Sequence, residues 1–219
     1  IIHFSYLAKG DNMKKIFITS YLAGTSAQFC AFMTKNNVKP GKILVITTAG
    51  NVEDYTGYID EGKALLTSLG YELTILDVAR ESTAVCREAI MDAKMIYVTG
   101  GNTFYLLQEL NKKQLLSEIK ASIDNGCYYV GESAGAIILA KNVNYASIID
   151  EASLAPDLKS SAGLGLLDFY PLPHFGEEPF TQDVEKTIVR YGQRYDLRTL
   201  NNHQAILIDD NSQALKGDY

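Results

Sequence analysis

Five short apolar runs set most of what this chain can fold into. Ile16-Phe17-Ile18, Ile43-Leu44-Val45-Ile46, Leu73-Thr74-Ile75-Leu76, Met95-Ile96-Tyr97-Val98 and Tyr128-Tyr129-Val130 are rich in β-branched and aromatic residues, with few polar breaks. A strand that is apolar at successive positions offers no face to water, so both its faces must be covered. The intervening segments supply that cover at helical spacing. Ile59, Gly62, Leu65, Leu66 and Leu69 share one face, closed by Gly70. Val85, Ala89 and Ile90 share a second, opened by Ser82 or Thr83 as N-cap. Leu106, Leu107 and Leu110 lead into Leu115, Leu116, Ile119 and Ile123 as a third. Strand and helix alternating in this order predict an α/β fold, a doubly wound and mostly parallel sheet with helices on both faces, in flavodoxin-like layers.

After Ala140 the period is lost, and residues 141–162 are expected to loop over the carboxyl edge of the sheet. A strand-like run follows at Leu166–Tyr170, helical spacing returns at Phe180–Tyr191, and short strands are expected at Leu197–Leu200 and Ala205–Ile208. No repeat or linker divides the chain, so residues 13–219 are expected to form one domain. Met13-Lys14-Lys15 before Ile-Phe-Ile has the form of a translation start, so residues 1–12 are expected to be leader or upstream sequence.

Composition removes several classes of function. The 20 Lys and Arg against 26 Asp and Glu leave a net charge of −6, a poor match to nucleic acid or an anionic membrane surface. The three cysteines, Cys30, Cys86 and Cys127, form no C-x-x-C pair and are expected to be buried thiols in a reducing compartment. Apolar runs fall far short of the roughly 18–20 residues of a membrane helix. A cytoplasmic location is expected. Neither a P-loop nor metal-ligand spacing is present, so no metal or cofactor is expected.

Chemistry concentrates where strands end. Gly131-Glu132-Ser133-Ala134-Gly135 matches G-x-S-x-G, entered by a strand and left by a helix of small residues. A serine on such a sharp turn has strained dihedrals, and only glycines beside it let the strand and helix approach. The turn lifts the Ser133 hydroxyl above the sheet at a helix N-terminus, a favourable place for a developing anion. Ser133 is therefore the candidate nucleophile, and it needs a base. His3 lies in the leader, leaving His174, in Tyr170-Pro171-Leu172-Pro173-His174-Phe175, with His203 as its rival. Gly100-Gly101-Asn102-Thr103 ends the fourth strand. Its backbone N–H groups and the Asn102 amide suit an oxyanion hole shared with the Ala134 N–H. The plainer reading makes Asn102 or Thr103 a helix N-cap. Glu132, inside the motif, is grouped with Gly101, Asn102 and Ala134 as lining the oxyanion or substrate pocket.

Together, Gly100–Phe104, Gly131–Ala136 and Pro173–Phe175 resemble the aspartyl dipeptidase (peptidase E) family of serine peptidases, which includes cyanophycinase. The resemblance spans Met13–Ile208 and implies a fold similar to class I glutamine amidotransferases. It implies Ser133 as nucleophile, His174 as base, main-chain oxyanion donors at Gly101 and Ala134, and a short peptide as substrate. A second copy, in a homodimer, is the other partner expected. Two departures stand out. The family's acidic third member falls where this chain has Asn202, beside His203, so Asn202 is the expected orienter of His174, with Asp150 and His203 as rivals. The loop after His174, Gly176–Asp183, is acidic where aspartate-preferring dipeptidases carry a basic residue, which argues against aspartyl substrates. The expected activity is a serine exopeptidase acting on short peptides. The alternatives are a pocket protein with reduced catalysis that binds or senses, and a general α/β-hydrolase esterase.

Overall fold

The structure, a computed structural model, describes residues 14–209 and 212–217. The expectation for residues 1–12 lies outside them. The five apolar runs become β1 (Lys15–Thr19), β2 (Lys42–Ile46), β3 (Glu72–Leu76), β4 (Met95–Val98) and β5 (Tyr128–Glu132), all parallel. With β8 (Ala205–Asp209) and β9 (Ser212–Lys216) they form one sheet of order β3-β2-β4-β5-β1-β8-β9. The last two are antiparallel additions: β8 pairs Ala205–Asp209 against Thr19–Lys15, and β9 pairs with β8.

Successive side chains point to opposite faces of a strand, and the core divides accordingly. Ile16, Ile18, Leu44, Ile46, Ile96 and Val98 face α3 (Thr83–Asp92), α4 (Thr103–Lys112), α5 (Leu116–Asp124) and the four-residue α6 (Ala134–Ile137). Phe17, Ile43, Val45, Tyr97 and Val130 face α1 (Ser26–Lys35) and α2 (Gly57–Ser68). Ser82 accepts from the Val85 N–H as N-cap of α3, and Gly70 and Tyr71 close α2 by donating to Thr67 and Leu66.

A third cluster sits beyond the sheet. Phe104, Leu107, Ile137, Tyr145, Leu172 and Val184 join α4 and α6 to α7 (Thr181–Tyr191) and to a small parallel pair, β6 (Tyr170–Leu172) with β7 (Leu197–Thr199). The strand expected at Leu166–Tyr170 begins only at Tyr170. Leu166, Leu167 and Phe169 plug the core instead, held by bonds such as Leu166 N–H to Leu139 O. The edge strand β3 leaves Ile75 half exposed, since a neighbour covers it on one side only. Cys86 and Cys127 are buried, as expected; Cys30 is partly exposed. Among the described residues no helix is long and apolar enough to cross a membrane.

Candidate active site

Three strand ends meet where the sheet order brings β4, β5 and β1 side by side. Ser133 follows β5 with φ 47° and ψ −104°, a conformation costing a non-glycine residue about 1–3 kcal/mol. Its neighbours impose it. The Ser133 N–H donates to Thr19 O at 2.9 Å, extending the β1–β5 ladder into the turn. A Cβ on Gly131 would stand 2.6 Å from Gly135 O, and one on Gly135 would stand 2.2 Å from Val98 O. Strand and helix thus cross at a separation only glycine permits.

His174 comes in from β6, with φ 64°. Its N–H donates to the Ser20 hydroxyl at 3.0 Å, and that hydroxyl donates to Leu200 O at 2.9 Å, fixing the histidine to the end of β1. The ring Nε2 lies 2.9 Å from Ser133 Oγ, and Nδ1 lies 3.1 Å from Asn202 Oδ1. An amide oxygen only accepts, so Nδ1 carries the proton and Nε2 offers its lone pair to the serine hydroxyl. Phe180 stacks on the ring at 4.4 Å. Burial pushes the His174 pKa below the ordinary imidazole value, opposed by the Asn202 hydrogen bond and the Glu177 charge. Glu177 Oε1 in turn accepts the Asn202 N–H at 3.0 Å.

Neither rival is hydrogen-bonded to the His174 ring. His203 is exposed, its N–H donating to Asn201 Oδ1. Asp150 accepts the Thr103 N–H at 3.0 Å at the start of α4, and burial pushes its pKa up to about 6.

Two expected pocket residues are tied into the fold. Asn102 is the N-cap of α4: its Oδ1 accepts from the Tyr105 N–H and one N–H of its amide donates to Glu151 O. Glu132 projects beneath the turn and is fully buried. Its carboxylate accepts from Leu22 N–H (2.9 Å), Tyr97 OH (2.5 Å) and Gly100 N–H (3.3 Å). A carboxylate there can brace two loops and strand β4 but cannot donate a hydrogen bond to an oxyanion. Burial raises its pKa, and those three hydrogen bonds oppose the rise.

The backbone donors are unengaged among the described residues. Gly101, at φ 125°, lies so close to Ala49 that a Cβ would stand 2.3 Å from its carbonyl. Neither the Gly101 nor the Ala134 N–H is used in a hydrogen bond among the described residues. Sequence reasoning missed Tyr58, whose ring edge would lie 3.2 Å from a Cβ on Gly100, beside Ser133. The Tyr58 hydroxyl is buried without a partner among the described residues, and burial followed by the charges of Glu53, Glu132 and Asp150 raises its pKa. No cluster of His, Cys, Asp or Glu able to hold a metal occurs among the described residues.

Residues 16–216 match the pattern of Peptidase family S51. The chain belongs to peptidase family S51. It is 36% identical over 207 residues to an uncharacterized peptidase of Pasteurella multocida, covering 94% of this chain and 99% of that one. It is 38% identical over 200 residues to an uncharacterized peptidase of Listeria monocytogenes, covering 90% and 95%. Peptidase E of Nostoc is 31% identical over 137 residues, 61% of this chain and 52% of that protein. A solved Listeria monocytogenes structure named for peptidase E superposes with a TM-score of 0.89 at 35% identity, covering 94% of this chain and all of that one. The S51 chain is thus a serine peptidase with the peptidase E fold.

Proposed function

We propose that this S51 protein is a serine exopeptidase of the peptidase E type, cleaving short peptides with Ser133 as nucleophile and His174 as base. The observation that carries the reading is the 2.9 Å contact between Ser133 Oγ and a His174 Nε2 whose tautomer is set by Asn202. As Oγ bonds to the scissile carbonyl carbon, its proton passes to Nε2 and the carbonyl oxygen becomes an anion. The N–H groups of Gly101 and Ala134 receive that anion, the second at the positive end of α6. His174 then gives the proton to the leaving amine as the C–N bond breaks. Water, deprotonated by the same nitrogen, hydrolyses the acyl ester and restores the serine.

Exopeptidase action is supported by charge. Asp150 and Glu53 interact with each other and with Tyr58, and burial is the main cause that raises both carboxyls. Negative charge beside Tyr58, itself next to Gly100 and Ser133, suits the free ammonium of a peptide N-terminus. The acidic loop after the histidine contributes less than its sequence suggests. Glu177 is tied to the Asn202 N–H, and Asp183 pairs with Lys186 at 2.8 Å. Substrate discrimination against an N-terminal aspartate then falls to Asp150 and Glu53. Comparing free and N-acetylated Ala-, Lys- and Asp-initiated dipeptides tests the reading. Free Ala and Lys peptides should turn over best and acetylated ones hardly at all. Equal turnover of acetylated peptides would refute the exopeptidase assignment.

A further inference from the structure

We propose that Glu177 is a positioning residue that supplies the base with negative charge, acting through the backbone of Asn202. The proposal rests on reading Ser133 and His174 as nucleophile and base. In that reading the group on Nδ1 is a neutral amide, which fixes the tautomer but stabilises imidazolium less than a carboxylate does.

One turn of chain makes good the deficit. The Glu177 N–H donates to His174 O at 3.1 Å, and the Phe180 N–H donates to Glu177 O at 2.8 Å. The same turn therefore lays Phe180 on the imidazole face and carries the Glu177 carboxylate round to the back of Asn202. There Oε1 accepts the Asn202 N–H at 3.0 Å. The bond holds the loop that presents Oδ1 and sets an anion on the side of the ring remote from Ser133.

The other charged groups around the site are engaged elsewhere or face water. Glu132 is bound under the turn by Tyr97, Leu22 and Gly100. Asp150 sits on the Thr103 N–H and Asp183 on Lys186. Glu178 and His203 are exposed. Glu177 is the one whose charge raises the proton affinity of His174, against the dominant effect of burial.

E177Q keeps an acceptor oxygen on the Asn202 N–H and removes only the charge; Glu177→Ala removes both. Two readings need no knowledge of the substrate: the pH dependence of Ser133 labelling by a fluorophosphonate, and the titration of the His174 ring protons by NMR. Serine labelling requires neutral His174, so its rate rises with pH through the His174 titration. In E177Q the titration and the labelling limb should both move to lower pH by about half a unit or more, and the plateau should fall by roughly three- to tenfold. Glu177→Ala should move them the same way with a larger plateau loss. A merely structural tie would lower the plateau and leave the limb in place. A labelled wild type whose limb and titration do not move in either variant overturns the proposal alone. A wild-type protein that never labels at Ser133 overturns the nucleophile reading and the proposal with it.

Discussion

Replacing Gly135 by alanine adds one methyl group where the sheet and α6 leave no space for it. The new Cβ would stand 2.2 Å from Val98 O and 2.9 Å from Val98 C and Cβ. Both sides of that contact are held by backbone, one by the β4–β5 ladder and the other by the first turn of α6. Restoring ordinary contact means moving the helix by about 1 Å, and overpacking of this kind costs about 3 kcal/mol, at the upper end of the usual range. For a domain of this size each kcal/mol lowers the melting temperature by about 2–4 °C, so a fall of roughly 6–12 °C is expected. The shift also carries Ser133 away from His174, and a misplacement of about 1 Å can cost on the order of a hundredfold in rate. Gly41→Ala is the matched control, since the nearest atom to its Cβ is Lys39 O at 4.0 Å; it should leave stability unchanged or raise it by about 0.4–1 kcal/mol. Calorimetry and peptide turnover read both effects. If Gly135→Ala melts within about 2 °C of wild type and keeps full activity, the steric argument for the turn is wrong.

Three further outcomes are expected. Ser133→Ala and His174→Ala should each cut turnover by about 10⁴-fold or more, whereas His203→Ala should stay near wild type; the reverse ranking would reassign the base. Because burial lowers the His174 pKa, the acid limb of kcat/KM should have its midpoint below about pH 6.5, and a midpoint above 7 would contradict a buried neutral base. Asp150 is held at about 6 against 3.8 in a free side chain. The folded protein keeps that proton while the unfolded chain loses it, so stability falls as pH rises from about 4 to 6, by up to about 3 kcal/mol. D150N should therefore raise the melting temperature at pH 8 with little gain at pH 4, while raising KM for free dipeptides. Equal effects on melting at both pH values would exclude the linkage.

Burial decided how much of this could be read from sequence. The four inner parallel strands β1, β2, β4 and β5 are covered on both faces, so residues such as Ile43–Ile46 carry the signal at nearly every position. The weaker elements carry less. α1 shows only Phe29, Phe32 and Met33 at helical spacing, and β9 is stabilised by pairing with β8, leaving mostly exposed side chains. The serine turn was legible because its glycines answer a steric demand that any such crossing makes. Asn102 and Glu132 are harder to read for the opposite reason: a polar side chain beside a strand end can face a ligand, cap a helix or brace a loop, and composition does not choose. Glu177 meets Asn202 through a backbone N–H, a contact that residue type does not record. Tyr58 and Ser133 both flank Gly100 because the fold sets the end of β4 beside the start of α2.

The most direct test of the account is to treat the wild-type protein with a fluorophosphonate and locate the adduct by peptide mass mapping. Stoichiometric modification of Ser133, abolished in Ser133→Ala and slowed by about 10³-fold or more in His174→Ala, is the expected result. Modification of another serine, or equal labelling of Ser133 without His174, would contradict the claim that these two residues act as nucleophile and base.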